Sequence, residues 1–303
     1  MINVRKELPV ESREDVAGIS TNLQEELKIQ PVLTGGSSFP VLSAQAVLAV
    51  DIDSGVSLYE KNPDEAFLPA STTKIITALV AMDYYSDLQV LEVKNAKVDG
   101  QKMGLVSGEK IGVESLLYGL LVYSANDAAE VLAQNFCTPR SPTELDGEVE
   151  SCGREFFISA MNSKVEKLGL TNTSFANPTG LDVYGGNVHT TARDLVRVSK
   201  YAMENPKFAK IVGTRQITVA SSDGKVVHRL KNINELLGVV DGVVGVKTGW
   251  TENARENLVT YVRRGDKKVL IALLGSQDRF GETRELIDWI FENYSWMEVS
   301  VPG

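Results

Sequence analysis

The stretch FLPASTTKIITALVAM, residues 67–82, reads as a proline turn running into a helix that is apolar on every side, with Ser71 and Lys74 at its mouth. A helix without a polar face belongs inside a folded body. It therefore marks the centre of the fold and brings its N-terminus to a seam between lobes, which is where sites form. Ser71 and Lys74 stand at i and i+3, neighbours on one helical face within hydrogen-bond reach. A serine hydroxyl is a weak nucleophile that needs a base, and a lysine becomes one when desolvation or a second cation depresses its pKa. The helix N-terminus adds backbone N–H groups and positive dipole where a tetrahedral intermediate would carry negative charge. A serine cap beside a solvated lysine has the same spacing, so the pair decides nothing alone.

On either side of this helix the pattern alternates between strand and helix. AQAVLAVDIDSGVSLYEKN (44–62) gives two β-rich runs around Asp53-Ser54-Gly55, the signal of a hairpin. GVESLLYGLLVYSANDAAEVLAQNF (112–136) has helical apolar spacing interrupted at YSAND, and REFFISAMNSKVEKLG (154–169) is a helix that stops at Gly169. TARDLVRVSKYAMEN (191–205) starts another, with Thr190 or Thr191 as its cap and Pro206 beyond its end. Short β-branched runs then follow: RQITVAS, KVVHRL, GVVGVKTGWT, NLVTYVRR and KVLIALLGS, before RFGETRELIDWIFENY closes as a helix. The later strands are expected to join the first hairpin in one antiparallel sheet, an α+β arrangement with a mainly helical second lobe. Residues 1–38, polar and then Gly/Ser-rich at TGGSSFP, read as a flexible arm or linker ahead of a catalytic domain at 39–298.

Composition narrows the function. The 303 residues, 43% hydrophobic, suffice for a substantial core. A formal charge of −9 with no basic run argues against nucleic acid as a partner. No apolar stretch reaches the roughly 18 residues of a spanning helix, and no secretory leader opens the chain, although a native leader or anchor removed upstream would leave the same start. The only cysteines, Cys137 and Cys152, bracket the polar segment TPRSPTELDGEVES. A disulfide closing it would contribute roughly 3 kcal/mol and imply an oxidising compartment, whereas two unrelated thiols would imply neither. Two histidines and two cysteines at no ligand spacing argue against a metal, and no cofactor is expected.

Two more motifs join the first. YSAND holds Ser124 and Asn126 at a helix break, and GVKTGWT holds Lys247, Thr248 and Gly249 in a strand. Alone, either is an ordinary turn or strand surface; S-x-x-K, S-x-N and K-T-G in that order is the signature of serine β-lactamases and penicillin-binding proteins. The chain resembles the D-alanyl-D-alanine carboxypeptidases, the low-molecular-weight penicillin-binding proteins that trim peptidoglycan stem peptides. The likeness also covers KMGLVSGEKIGVESLLYGLLVYSANDAAEVLA, LGLTNTSFANPTGLD, HTTARDL and GVVGVKTGWTENARENLV, and spans about residues 41 to 295.

The resemblance implies a β-lactamase/DD-peptidase-like fold and a role for each motif residue. Ser71 would be the acylated nucleophile and Lys74 its base. Ser124 with Lys247 would carry the proton to the leaving D-alanine, and Asn126 would hold the substrate amide. The backbone N–H groups of Ser71 and Trp250 would form the oxyanion hole, and Thr248, Gly249 and Arg279 would bind the substrate, Thr248 and Arg279 its terminal carboxylate. It further implies a peptidoglycan pentapeptide substrate, β-lactams as acylating inhibitors, and an extracytoplasmic location in the bacterial envelope. Membrane attachment is expected only through segments absent from this chain.

Departures from the family pattern are visible. Ala254-Arg255 stands where the family has Ala-Gly, placing a bulky residue in a turn between strands. The Cys137–Cys152 segment reads as an insertion. A class A β-lactamase would need a deacylating Glu in an E-x-x-L-N loop, which is missing, and Glu166 in EKLGLTN has the wrong spacing. A non-catalytic wall-binding homologue would have a broken motif, and all three are intact. A Ser-His-Asp hydrolase would have to use His189 or His228, and no G-x-S-x-G elbow exists.

Overall fold

The computed structural model describes residues 26–137, 152–182 and 187–301. Its main sheet has five antiparallel strands, in sequence β2 (Ala46–Asp51), β3 (Ser57–Lys61), β8 (Val243–Thr251), β9 (Arg255–Arg264) and β10 (Lys267–Ser276), arranged in the order β3-β2-β10-β9-β8. The expected hairpin joins β2 to β3: Asp51 Oδ2 accepts from the Ser54 N–H at 2.9 Å, and Gly55 takes the positive φ (76°) that closes the turn.

Alternation along β10 divides the core. Val269, Ile271 and Leu273 pack with Leu286, Ile287 and Ile290 of the helix α7 (Arg279–Asn293). Leu270, Ala272 and Leu274 point to the opposite face, into the helical lobe. Both faces are covered, which explains why KVLIALLGS is continuously apolar rather than alternating. The helical lobe comprises α1 (Lys74–Tyr84), α2 (Val113–Val122), α3 (Asn126–Gln134), α4 (Arg154–Lys167), α5 (Ala192–Met203) and α6 (Pro206–Val212). Helix α1 lies inside it, with Ile75, Ile76, Leu79 and Val80 all buried. Each such side chain stabilises the fold by roughly 1.5–3 kcal/mol. Thr191 caps α5 by accepting from the Asp194 N–H at 3.0 Å.

Some expectations need correction. RQITVAS and KVVHRL do not join the main sheet; β6 (Gln216–Ala220) and β7 (Val227–Lys231) form a hairpin of their own beside α2, because their alternation supplies only one apolar face. Residues 26–33, assigned to a flexible arm, include strand β1 (Glu26–Leu33), which pairs antiparallel with β11 (Tyr294–Val301) beyond the closing helix. Pro206 lies beyond the end of α5 at Met203, as expected, and in addition opens α6 as its first residue, where its missing N–H costs nothing and Asn205 caps the turn. The segment before residue 110 contributes β4 (Val90–Glu92), paired with β5 (Lys110–Gly112). Cys137 and Cys152 are joined, with an S–S distance of 2.08 Å, at the neck between α3 and α4. Residues 1–25 of the expected arm and the bracketed 138–151 lie outside the described residues.

Candidate active site

The mouth of α1 is a 3₁₀ turn, Ala70–Thr73, so Ser71 precedes the α-helix and Lys74 is its first residue. Ala70 holds a positive φ of 47°, a costly conformation for a residue with a side chain. Its surroundings enforce it. The buried Asn257 of β9 donates its Nδ2 to the carbonyls of Leu68 (2.9 Å) and Pro69 (3.0 Å). Gly180 presses against the turn so closely that a Cβ there would lie 1.9 Å from the Ala70 carbonyl oxygen. Asn177 shapes the loop carrying Gly180, its Oδ1 accepting from the N–H groups of Thr179 (3.0 Å) and Gly180 (2.7 Å).

Lys74 is fully buried. Its Nζ lies 2.9 Å from Ser71 Oγ and donates to the Thr179 carbonyl at 2.6 Å. Burial pushes the ammonium down to about 7, against the opposing charges of Asp127 and Glu130. Ser124 reaches the same place from the break between α2 and α3, again through a left-handed backbone (φ 62°). Its Oγ accepts from Lys247 Nζ at 2.8 Å, and Lys247 also donates to the Thr248 carbonyl at 2.9 Å. Burial, then the charges of Lys74 and Arg279, hold Lys247 well below the usual lysine range. Asn126 donates Nδ2 to the Asp99 carbonyl at 2.7 Å, while its Oδ1 is buried with no partner among the described residues. Asp127, next in the chain, accepts from the N–H groups of Met103, Gly104 and Leu105 and ties down the facing loop.

Strand β8 closes the opposite wall as the last strand of the sheet. Gly249 packs on the serine turn: a Cβ there would stand 3.2 Å from the Ser71 nitrogen and 3.1 Å from the Pro69 oxygen. Arg279, the first residue of α7, sits where the helix dipole disfavours a cation. Its guanidinium reaches back to donate to the Gly249 carbonyl at 2.9 Å, and burial lowers its pKa against the charges of Glu256 and Glu235. Ser71, Ser124, Asn126, Thr248, Gly249, Trp250 and Arg279 line one cavity of about 720 Å³, with Lys74 and Lys247 beneath it.

Other sequence candidates lie elsewhere. The imidazole of His228 is buried between the Met103 carbonyl and Glu109, and His189 pairs through its backbone with Ser174. Glu166 lines a separate surface cleft. Among the described residues no group of three or more His, Cys, Asp or Glu converges as a metal site would. Sequence reasoning named neither Asn257, Asn177 nor Asp127 individually. The available signal was weak: an Asn or Asp beside a turn or helix start, a residue type that commonly bonds nearby backbone.

A cavity-lining serine bonded to a buried lysine, a second lysine on a second serine, and an edge strand opposite them define an acyl-transfer serine enzyme of β-lactamase-like fold. The sequence model of the D-alanyl-D-alanine carboxypeptidase family matches residues 35–278, and the chain belongs to that family. It is 32% identical over 271 residues to a D-alanyl-D-alanine carboxypeptidase of Mycobacterium tuberculosis, covering 87% of each chain. Its identity to one from Bacillus subtilis is 30%, covering 83% of this chain and 63% of that protein. The crystal structure of a Streptomyces DD-transpeptidase superposes with a TM-score of 0.75 at 29% identity, over 84% of this chain and all of the other. That of a D-alanyl-D-alanine carboxypeptidase from M. tuberculosis gives 0.74 at 32%, over 89% and 99%.

Proposed function

We propose that this protein is a serine-type D-alanyl-D-alanine carboxypeptidase that removes the terminal D-alanine of peptidoglycan stem peptides through an acyl-enzyme on Ser71. The observation that carries the reading is the fully buried Lys74, 2.9 Å from Ser71 Oγ and pushed down to about 7. Near neutral pH it has a substantial neutral fraction, which takes the Ser71 proton as Oγ attacks the carbonyl of the penultimate residue. The tetrahedral oxygen is received by the Ser71 and Trp250 N–H groups, and the close approach of Gly249 to the Ser71 nitrogen supports that pairing. Ser124, bonded to Lys247, passes a proton to the departing amine. The partnerless Oδ1 of Asn126 is suited to accept a substrate N–H. Arg279 and Thr248 read the free carboxylate, which Arg binds with a two-pronged fork. Water then releases the shortened peptide. The family's enzymes work on the cell wall, and we place this one outside the cytoplasmic membrane, a location with which the Cys137–Cys152 disulfide agrees. Residues 39–298 are the catalytic domain in this reading.

The test uses purified muropeptides and a penicillin. Mass analysis should find loss of one D-alanine, and intact mass should find a slowly lost penicillin adduct that Ser71→Ala abolishes. Rapid turnover of the drug would instead favour a β-lactamase.

A further inference from the structure

Between β4 and β5 the chain runs through residues 93–109 without helix or strand, yet its middle is a wall of the catalytic cavity, lined by Asp99, Gly100 and Gln101. The backbone groups of such a loop need partners from elsewhere, and here side chains supply several of them. The Asp99 carbonyl accepts from Asn126 Nδ2 and the Gln101 carbonyl from the Asn126 N–H, both at 2.7 Å. Gly100 packs so tightly on the same residue that a Cβ there would lie 2.7 Å from Asn126 Nδ2. A little further on, the Met103 peptide is held from both sides. Its N–H donates to Asp127 at 3.0 Å, and its carbonyl faces His228 Nδ1 at 3.1 Å.

His228 belongs to β7 of the separate hairpin, and the proposed mechanism does not use it. Its other ring nitrogen, Nε2, lies 2.7 Å from Glu109 Oε1, and both side chains are buried. A carbonyl oxygen only accepts, so Nδ1 carries a hydrogen and donates to Met103. One further proton lies between Nε2 and Glu109 Oε1, and sharing it leaves the buried pair without net charge. Glu109 Oε2 accepts from the Val106 N–H at 3.0 Å, so the carboxylate ties the far end of the loop to the same ring. A pair that only fastened the hairpin to the lobe would bond strand to strand. This one bonds the hairpin to a peptide that no strand ladder holds, and the contact on its other side is Asp127, the neighbour of Asn126.

We infer that His228 and Glu109 are positioning residues for acylation: the proton they share fixes the Met103 peptide, and through residues 99–103 the cavity wall that orients the Asn126 amide toward the substrate. The inference rests on the carboxypeptidase reading and on the role given there to Asn126. Neither His228 nor Glu109 lines the catalytic cavity, so their effect passes through Asn126 and falls on substrates whose amide Asn126 holds.

The test compares acylation of Ser71 by benzylpenicillin, which carries a side-chain amide, and by penicillanic acid, the same bicyclic nucleus without it. Asn126→Ala should slow the first and spare the second, which calibrates the two probes. His228→Phe/Glu109→Leu fills the site with apolar groups and leaves no buried charge unpaired, so its melting transition should be retained. It should show the same selectivity, with benzylpenicillin acylation about tenfold slower and penicillanic acid acylation within about twofold of the unaltered protein. Should the double variant fail to fold, His228→Phe alone carries the same comparison. Glu109→Gln should keep both rates, because its amide donates to Nε2 while its oxygen accepts from Val106, preserving each hydrogen bond with a neutral imidazole. Equal losses for the two compounds, or none, would reduce the pair to a staple of the hairpin and overturn the inference, as would a selective loss in Glu109→Gln. If Asn126→Ala shows no selectivity, the role of Asn126 and the inference fall together. If benzylpenicillin leaves Ser71 of the unaltered protein unmodified, the carboxypeptidase reading itself falls.

Discussion

The two walls of the catalytic cavity are made differently. From the helical side, Ser71 and Ser124 arrive on turns stabilised against their own preference, with Ala70 and Ser124 both at positive φ. From the sheet side, Lys247, Thr248, Gly249 and Trp250 stand on consecutive positions of a strand whose ladder with β9 is regular from Gly245 to Thr251. The strained side holds the nucleophile and its base, where sub-ångström placement governs reactivity. The regular side offers an edge strand and an arginine, which suit an extended peptide and its end. Lysines contributed by both walls are buried, and burial makes them proton carriers instead of fixed charges.

The division can be broken most severely from the helical side. Lys74→Ala should fold and yet lose penicillin acylation by about 10²- to 10⁴-fold, the range for a general base. In the unaltered protein the acylation rate should climb with pH through about 7, as Lys74 loses its proton. Near-normal acylation of the variant at neutral pH would remove Lys74 from the chemistry.

From the sheet side the effect should be smaller and selective. Arg279→Ala should cut turnover of a peptide ending in D-Ala-D-Ala by about 30- to 150-fold, corresponding to a charge-assisted contact of roughly 2–3 kcal/mol. A strained β-lactam depends less on remote binding energy and should suffer less. Equal losses for both substrates would transfer carboxylate recognition to Thr248 and Lys247.

The helical side should also carry a stability cost. Folded Lys74 releases its proton near 7, whereas the unfolded chain holds it to the ordinary value of 10.5. Between those limits the unfolded state binds more protons, so stability rises with pH, by up to about 1.4 kcal/mol per unit. The cost is full below about 7 and relieved as pH approaches the upper limit. Lys247, shifted the same way, contributes with the same sign. Denaturant melts of Lys74→Met across this range should lose part of the slope; an unchanged slope would assign it to other groups.

The smallest effect is expected at Arg255, where β9 leaves the turn after the K-T-G strand with φ 58°. Arg255→Gly should stabilise the protein by about 0.5–1 kcal/mol, the left-handed strain relieved less the added entropy of glycine. Acylation should not change. A loss of stability would mean that the exposed arginine side chain contributes contacts that outweigh its backbone strain.

Much of this was legible in the linear chain because the signals are local. The apolar surround of residues 75–82 required a central helix, Asp53-Ser54-Gly55 specified a hairpin, and the three spaced motifs named Ser71, Lys74, Ser124, Asn126 and Lys247. Two short β runs were assigned to the wrong sheet, since alternation reports an apolar face without identifying what covers it. β1 was missed altogether: its pairing with β11 depends on residues more than 260 positions away.

By itself, then, the sequence determined which side chains could do chemistry and the periodicity that buries α1. Only the tertiary structure decided that Lys74 and Lys247 lie buried beneath one cavity and that Asn257 and Gly180 hold the serine turn in its strained form. The reason is physical. Motif spacing is set by covalent geometry within a turn or two of chain, whereas desolvation, and the proton affinity it controls, depends on atoms brought together from many elements.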